Sequence, residues 1–288
     1  MSTTATDKTL LTIIMPVYNA GHYMEKVLQN IAAQRFCNYE LLLLEALSTD
    51  DTKNIIEAKQ ATDPRIRLVV EKDKGIYDAM NKGVASAKGE WLYFMGCDDA
   101  FFDEEVLQTF SVHLNAGNDL VYGDVLWVPD HILESGECTA GNLLHRNINH
   151  QRIFYRKELF LQYGGYDLQY EVASDHELNI RFFCNDTIRK KYLPVPVARY
   201  HSGGFSANKL DKVFWNNWKT IFRVNFSKHL PEKELYQKLG WYCRYLIDKH
   251  HFGKAFILFW EVFLRTGSPG FVKLTFKQLI QSFRTHAS

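Results

Sequence analysis

Residues 71–102 read EKDKGIYDAMNKGVASAKGEWLYFMGCDDAFF, and this stretch combines a turn, a helix, a strand and an acidic pair. The helix is indicated by apolar residues at helical spacing, namely Ile76, Ala79, Met80, Val84 and Ala87. The apolar run Trp91–Met95 predicts a buried strand, and Asp98 and Asp99 follow it. Adjacent carboxylates repel each other, so the pair predicts a divalent cation that carries a phosphorylated substrate.

The rest of the first hundred residues alternates between strand and helix patterns. Strands are predicted at 10–15, 40–44, 66–70 and 91–95, and helices at 22–34, from the cap residues 48–50 to about 61, and at 76–87. This alternation predicts an α/β fold with a Rossmann-like, mostly parallel central sheet flanked by helices. Ligands gather at the carboxyl ends of such strands. The polar residues that follow these strands are Tyr18, Asn19, Glu45, Asp73, Asp98 and Asp99.

The second half of the chain is less regular. Its pattern predicts strands at 119–127, 152–155, 188–192 and 195–201, a helix at 174–183, and a loop at 136–150. Beyond about residue 208 the pattern is helical, aromatic and basic. We therefore expect a C-terminal helical extension after the α/β domain.

Composition narrows the class of protein. The chain has 288 residues, 46% of them hydrophobic, which is enough for a full core. A net charge of +1 argues against a nucleic-acid binder. The five cysteines are odd in number and lack CxxC spacing, as expected of free thiols in a reducing cytosol. The polar N-terminus and the lack of an apolar run of ~20 residues predict a cytoplasmic protein.

Charge is divided unevenly along the chain. Residues 209–288 contain 14 Lys and Arg against 5 Asp and Glu, which is a net charge of +9, whereas residues 1–208 carry −8. Within the basic part, residues 249–265 read KHHFGKAFILFWEVFLR, a basic start followed by an apolar middle. Two interpretations remain open, a helix packed on the α/β domain and a peripheral membrane contact through 249–284.

Several motifs occur in an order that resembles the family 2 glycosyltransferases, which have a GT-A fold. IIMPVYNA resembles the opening strand and turn of that family, and QRFCNYELLLLEALSTDDT resembles the second conserved stretch. DKGIYDAMNKGVASAKGEWLYFMGCDD resembles the central stretch that ends in the metal-binding acids. VYGDV, GGYD, ASDHEL and HSGGFS follow. The resemblance extends from about residue 12 to 206.

This resemblance is to bacterial enzymes that build capsule, exopolysaccharide or O-antigen. It implies that a sugar is transferred from a nucleotide-sugar donor to a glycan or polyprenyl-linked acceptor, with inversion at the anomeric carbon. It further implies a catalytic domain at 1–207, with a donor half at about 10–127 and an acceptor half at about 128–207. The basic helical extension would then span 208–288, and the enzyme would work in the cytoplasm, at the cytoplasmic face of the inner membrane. The sequence does not indicate an oligomeric state.

The resemblance assigns the first donor-binding residues to the turn after the first strand. Pro16, Tyr18 and Asn19 are expected beside the nucleotide base and ribose. Glu45 stands where the family usually has an Asp in contact with uracil, and Glu is one methylene longer. We therefore expect a uridine nucleotide, with guanosine or thymidine as alternatives.

Further donor contacts are implied in the opening stretch. Asp73 is expected to contact the nucleotide, and Lys82 to neutralise phosphate charge, although a solvated lysine is the commoner fate. Gly83 is interpreted as a close-packing position. Residues 48–50 are interpreted as a helix cap instead of a ligand site.

The acidic pair is implied to hold Mn²⁺ or Mg²⁺, which prefer carboxylate and phosphate oxygens. Asp99 is expected to be the direct metal ligand, while Asp98 bonds the ribose or shares the metal. His201 is expected to supply a third ligand. The alternative for the pair is a helix cap, which is the interpretation of the neighbouring residues 103–105.

The motif ASDHEL at 173–178 contains the implied general base. Ser174 and Glu177 have the spacing of a capping box, which leaves Asp175 unexplained. An Asp in the first turn of a helix has a low pKa, so Asp175 would be ionised and able to accept a proton. Glu177 is the alternative base.

Acceptor contacts are expected from the loop before residue 152. His150 and Gln151 resemble family positions near the acceptor, and Glu177 is a further candidate. His145 and Arg146 are expected to line the same cleft.

Other functional classes were weighed against this interpretation. A non-catalytic nucleotide-sugar or glycan-binding module is the main alternative, and the intact acids at 98, 99 and 175 argue against it. A nucleotide-dependent oxidoreductase would need G-x-G-x-x-G after the first strand, where this chain has Pro16–Gly21. A hydrolase that uses two carboxylates is a weaker alternative.

Overall fold

A nine-stranded sheet forms the centre of the computed structural model, which describes residues 8–201, 209–249 and 251–284. The strands are β1 (Leu11–Val17), β2 (Tyr39–Glu45), β3 (Ile66–Val70), β4 (Trp91–Phe94), β5 (Ala100–Phe101), β6 (Leu120–Val128), β7 (Ile132–Glu134), β8 (Ile153–Arg156) and β9 (Lys190–His201). The helices are α1 (Gly21–Ala32), α2 (Thr52–Gln60), α3 (Ile76–Ser86), α4 (Val106–Leu114), α5 (Ala140–His145), α6 (Lys157–Tyr163), α7 (Ser174–Phe183), α8 (Lys212–Ile221), α9 (Glu232–Asp248), α10 (Phe252–Thr266) and α11 (Pro269–Arg284).

The sheet has the order β3-β2-β1-β4-β8-β6-β9-β5, and β7 pairs with β6. Strands β3, β2, β1 and β4 are all parallel, and β6 is parallel to β9. Antiparallel pairs occur where β8 joins β4 and β6, and where β5 joins β9. The predicted α/β fold with a mostly parallel sheet is confirmed, and the carboxyl ends of its first four strands lie at one edge.

Strand β1 is the centre of the parallel half, and helices cover it on both faces. Its side chains Ile13 and Met15 belong to one core cluster with Met24 and Leu28 of α1. On the other face, a Cβ added at Gly83 of α3 would lie 2.4 Å from Cγ2 of Ile14. Gly83 is therefore a close-packing position, as predicted, and its lack of a side chain allows α3 to approach the sheet.

Several element boundaries differ from the predicted ones. The first strand continues through Pro16 instead of stopping there, because β4 pairs with β1 only as far as Ile14 and one side of the strand is unpaired beyond it. The two strands predicted at 188–192 and 195–201 are one strand, β9, whose pairing with β6 is irregular around Asp124. The predicted loop at 136–150 contains the helix α5.

Contacts divide the chain into two units, one of residues 1–139 and 147–211 and one of 140–146 and 212–288. The first unit contains the whole sheet. In the second, α9 buries an apolar face that includes Leu235, Leu239 and Leu246, against which α10 contributes Val262 and α11 contributes Phe271. None of the helices in the described residues is long and apolar enough to cross a membrane.

We predict that Gly83→Val destabilises the protein. The added side chain meets Ile14, a branched side chain in a fully buried strand, so the free energy of unfolding should fall by about 1–3 kcal/mol. Urea denaturation followed by circular dichroism measures this change. The control is Ser86→Ala, an exposed position at the end of the same helix. Equal stability of the two variants would contradict the close packing of α3 on β1.

Candidate active site

The loops after β1 and β2 are bonded to each other at the carboxyl edge of the sheet. Asn19 has a left-handed backbone with φ of 48°, its N–H donates to Oγ of Ser48 at 2.9 Å, and its Oδ1 accepts from the N–H of Thr49 at 2.8 Å. Asp50 accepts from the N–H of Thr52 at 3.1 Å, at the start of α2. The N-cap of α2 is Asp51, so the predicted cap at 48–50 is wrong: Asp50 bonds the first helical residue from one position before the N-cap, and Ser48 and Thr49 bind Asn19.

Glu45 ends β2 beneath these loops. It is 1% exposed, and its carboxylate accepts from the N–H groups of Leu47 at 3.2 Å and Ser48 at 2.5 Å. Glu45 is thus bonded to the turn that directly follows it in the chain. The half-buried Pro16 lies in β1, and Tyr18, which is 61% exposed, follows that strand and offers an accessible aromatic surface beside these loops.

The turn before α3 is also held by side chains. Asp73 accepts from the N–H of Gly75 at 2.9 Å, and Gly75 has φ of 121°, which favours glycine. Asp78 accepts from the N–H of Lys74 at 2.9 Å. Lys82 donates to the carbonyl oxygen of Lys72 at 2.7 Å. Asp73 and Lys82 therefore both stabilise this turn.

Asp99 lies at the centre of the edge and is 3% exposed. Its Oδ2 accepts from Nε2 of Gln151 at 2.5 Å and from the N–H of Gly96 at 3.2 Å, and its Oδ1 accepts from the N–H of His201 at 3.3 Å. Burial, followed by the charge of the half-buried Asp98, raises the pKa of Asp99 to about 6. Three hydrogen bonds therefore hold the carboxylate of Asp99 in place, while burial and Asp98 disfavour its charged form.

The acidic pair fits one side of a cation site. A Cβ at Gly96 would lie 2.6 Å from Oδ2 of Asp99 and 3.0 Å from Oδ1 of Asp98, so both carboxylates approach the same point. A cation would offset their repulsion and the burial of Asp99. Oε1 of Gln151 is a buried acceptor without a hydrogen-bond partner in the described chain. No three His, Cys, Asp or Glu side chains come together as a metal site among the described residues, and His201 contacts Asp99 through its backbone.

Asp175 lies in the first turn of α7, and its side chain is 18% exposed. Its Oδ1 accepts from the hydroxyl of Tyr77 at 3.0 Å, and its Oδ2 accepts from Nδ2 of Asn147 at 2.8 Å. Nδ1 of His150 lies 3.7 Å from Oδ2. Burial raises the pKa of Asp175, but His150, His176 and Tyr77 together outweigh it and hold the pKa below its ordinary value. The low pKa agrees with the predicted one, and it has neighbouring side chains as its cause.

One short segment, 147–152, connects the two acids. Its 3-10 turn, His150–Arg152, places His150 beside Asp175 and Gln151 on Asp99. His150 lowers the pKa of both Asp99 and Asp175. A buried carboxylate that can hold a cation and an ionised carboxylate that can accept a proton are thus positioned by the same turn.

Comparison with known proteins identifies the family. The family model described as Glycosyl transferase family 2 matches residues 12–173. This chain belongs to glycosyl transferase family 2. It is 38% identical over 211 residues to proteins named PGL/p-HBAD biosynthesis glycosyltransferase in Mycobacterium bovis and Mycobacterium tuberculosis, with 71% of this chain and 82% of the relative covered. An uncharacterized glycosyltransferase of Rickettsia prowazekii is 22% identical over an alignment of 298 positions, which covers 96% of this chain and 92% of the relative.

Solved structures agree with the GT-A fold. TarS residues 1–349 from S. aureus in complex with UDP-GlcNAc matches with a TM-score of 0.65 and 19% identity, covering 80% of this chain and 70% of that one. A mannosyltransferase from Pyrobaculum calidifontis in complex with GDP-Man and Mn²⁺ matches with a TM-score of 0.57 and 17% identity, covering 96% of this chain and 86% of that one.

In this family 2 glycosyltransferase, the surroundings of three residues, Ser174, Glu177 and Gln151, differ from those predicted. Glu177 pairs with Arg181 at 2.6 Å, and Oγ of Ser174 is buried without a partner in the described residues, so the predicted capping box is wrong. The N-cap of α7 is Ala173. Gln151 is 2% exposed and bonded to Asp99, and its expected contact with an acceptor stays a prediction.

The remaining acceptor candidates lie in different units. His150 is in the first unit beside Asp175, whereas His145 and Arg146 belong to the second. The carbonyl oxygen of His145 accepts from Nζ of Lys238 at 2.9 Å. The expectation that all of them line one cleft stays a prediction.

Three important residues of this family member were not found from its sequence. Tyr77 and Asn147 bind Asp175, and Arg152 donates from Nε to the carbonyl oxygen of Gly123 at 2.6 Å and from a terminal nitrogen to Glu134 at 3.0 Å. Arg152 is 2% exposed. Its place directly before an apolar strand was a signal of a buried, paired charge, but the sequence does not name the partners.

We predict that Asp99→Asn stabilises the metal-free protein above about pH 6. An acid whose pKa rises on folding favours the folded state below its unfolded pKa, and this stability is lost as the pH rises through the folded value of about 6. The variant should therefore gain on the order of 2–3 kcal/mol over the wild type at pH 8 and little at pH 4.

Urea denaturation in EDTA at both pH values measures this difference. Asp51→Asn, an exposed acid at the start of α2, is the control and should show no such pH dependence. A wild type that is as stable as Asp99→Asn at pH 8 would contradict the raised pKa.

Proposed function

We propose that this protein transfers a sugar from a nucleotide-sugar donor to a hydroxyl group of a glycan or lipid-linked acceptor, with inversion of the anomeric carbon. The observation that supports this most is the 147–152 segment, which positions the buried Asp99 and the ionised Asp175 together. Asp99 suits the binding of a cation that carries the donor's diphosphate, and Asp175 suits acceptance of the proton from the acceptor's hydroxyl group. Membership of glycosyl transferase family 2 agrees with both roles.

Donor binding is assigned to the edge formed by the loops after β1 to β4. Pro16, Tyr18 and Asn19 would face the base and ribose, and Asp73 and Asp98 would contact the nucleotide beside them. Uridine is the proposed base, because TarS is described in complex with UDP-GlcNAc and UDP, and guanosine is the alternative, because the mannosyltransferase is described with GDP-Man. Glu45 is bonded to the Leu47–Ser48 turn, so its proposed contribution to base selection is to shape that turn.

Asp99 and Asp98 would hold Mn²⁺ or Mg²⁺, with the remaining ligands supplied by the diphosphate and by His201 as the predicted third protein ligand. A bound cation neutralises negative charge that develops on a leaving diphosphate. The protein's own contribution is to fix the carboxylates: the N–H groups of Gly96 and His201 and the amide of Gln151 hold Asp99 in one orientation. Lys82 would add positive charge near the phosphates.

Asp175 is the proposed general base. As the acceptor oxygen forms its bond to the anomeric carbon, its proton moves to Asp175, and the bond from that carbon to the phosphate oxygen breaks on the opposite side. Attack opposite the leaving group inverts the configuration. Tyr77, Asn147 and His150 orient the carboxylate, so its free lone pairs keep a constant direction.

The proposed setting is the synthesis of a cell-surface polysaccharide or glycolipid, of the capsule, exopolysaccharide or lipopolysaccharide type. The relatives named for PGL/p-HBAD biosynthesis support a glycolipid-type acceptor. None of the five cysteines, all of which lie within the described residues, forms a disulfide, which suits a reducing compartment. We therefore assign the reaction to the cytoplasm, at the cytoplasmic face of the inner membrane.

We predict that Asp175→Asn lowers the turnover of the donor by about 100-fold or more, because it removes the proton acceptor and keeps the shape of the side chain. Release of nucleoside diphosphate from UDP-, GDP- and TDP-sugars, with Mn²⁺ and octyl glycosides as acceptors, measures turnover. The variant should keep the thermal shift that a nucleoside diphosphate and Mn²⁺ produce in the wild type.

Glu177→Gln is the matched control, because Glu177 pairs with Arg181, and it should retain turnover. Wild-type rates in Asp175→Asn together with losses in Glu177→Gln would make Glu177 the base. A wild type that binds the nucleotide and never turns over a donor would favour the non-catalytic binding module.

We predict that Tyr77→Phe shifts the acid limb of the pH profile of kcat/KM upward. The hydroxyl of Tyr77 lowers the pKa of Asp175, so its removal raises that pKa, and activity is lost at higher pH than in the wild type. Tyr166→Phe is the control, because Tyr166 stacks on Tyr77 and its buried hydroxyl has no partner in the described chain. Identical profiles in wild type and Tyr77→Phe would remove Tyr77 from this role.

A further inference from the structure

Helices α10 and α11 expose an unusual amount of apolar side chain. On α10, Phe256 is 64%, Ile257 71% and Leu264 76% exposed. On α11, Phe276 is 55% and Ile280 52% exposed. Scattered single apolar residues are normal on a surface, but a contiguous apolar patch marks a binding surface.

An apolar groove opens between these helices and α9. Its volume is about 450 Å³, and its lining includes Ile247, Phe252, Phe256, Trp260, Phe276 and Leu279. The aromatic side chains at 252, 256 and 260 recur every four residues and so share one face of α10. The wall of the groove on α10 is therefore one face of that helix, formed by residues at regular helical spacing.

Charge in the same segment is almost entirely positive. Residues 249–284 contain six Lys and Arg and one acidic residue, Glu261, which pairs with Lys219 at 2.5 Å. The lysines at 249, 254, 273 and 277 are exposed, although Lys254 lines a different groove together with Ile257 and Glu261. An apolar face bordered by basic residues attracts a surface that is apolar inside and negatively charged outside.

We propose that α10 and α11 dock in the plane of an anionic lipid bilayer, with Phe256, Trp260 and Phe276 entering the interfacial layer and the surrounding lysines contacting lipid phosphates. Neither helix meets the length and hydropathy of a membrane span, and an interfacial position requires neither. A second copy of this chain is the weaker occupant, because a twofold contact would bring two basic surfaces together. The proposal goes beyond sugar transfer, since lipid binding does not depend on turnover.

Vesicle flotation tests this surface with the full chain. Vesicles of phosphatidylcholine and phosphatidylglycerol in a 3:1 ratio should bind the wild type at least about tenfold more tightly than pure phosphatidylcholine, and 0.5 M NaCl should reduce the difference because salt screens charge. Phe256→Glu combined with Phe276→Glu should lose binding to the anionic vesicles by about tenfold or more, since it places two charges where apolar contacts are needed.

Two controls separate lipid binding from folding and catalysis. Val112→Glu and Leu161→Glu change side chains that are 61% and 72% exposed in the sheet-containing unit, and both should bind vesicles like the wild type. All variants should keep the thermal shift with nucleoside diphosphate and Mn²⁺, whatever the outcome for sugar transfer. The proposal is overturned if the wild type does not bind anionic vesicles, or if all the variants bind equally. It is also overturned if light scattering shows a stable dimer that only the Phe256→Glu and Phe276→Glu change dissociates.

Discussion

A buried carboxylate beside a second carboxylate is the constraint on which the site depends. Asp99 is almost fully buried next to Asp98, an arrangement that is unfavourable for two negative charges. It is tolerated because donors from three separate parts of the fold converge on it: the end of β4 through Gly96, the 3-10 turn through Gln151, and the end of β9 through His201. The side chain therefore joins the two halves of the sheet at the edge where ligands bind in such folds.

The 3-10 turn is held in place by the side chain of its last residue, Arg152. A buried guanidinium is strongly unfavourable unless its donors are paired, and here they reach the carbonyl oxygens of Gly123 and Gly136 and the carboxylate of Glu134. These partners lie on β6 and around β7, so the hairpin fixes the turn. Tyr93 adds a hydrogen bond from its hydroxyl to the carbonyl oxygen of Gln151 at 2.9 Å. The positions of both acids are thus set by a polar network inside the protein.

Local pattern in the sequence was sufficient to predict most strands of the sheet, though not the short strands β5 and β7, because hydrophobic periodicity reports which residues face the core. Helix α7 and strand β3 were predicted at their observed bounds. The network around the acids was not predictable, because its bonds join residues far apart in the chain, 52 positions for Gln151 and Asp99 and 98 for Tyr77 and Asp175. A local rule failed at Glu177, where Arg181 one turn later competes for the carboxylate that a capping box would use.

The contact of Gly83 with Ile14 determines which part of the proposed donor site can change without moving Asp175. This contact fixes the rotation of α3 about its own axis. If the helix were shifted by one residue, every side chain would be turned by about 100°. Tyr77 projects from this helix, so the orientation of Asp175 is determined by core packing. The turn at 71–75 lies outside the helix and is exposed or half-buried. If Asp73 and Asp175 have the roles proposed above, substitutions in this turn would change the donor contacts and leave the orientation of Asp175 unchanged.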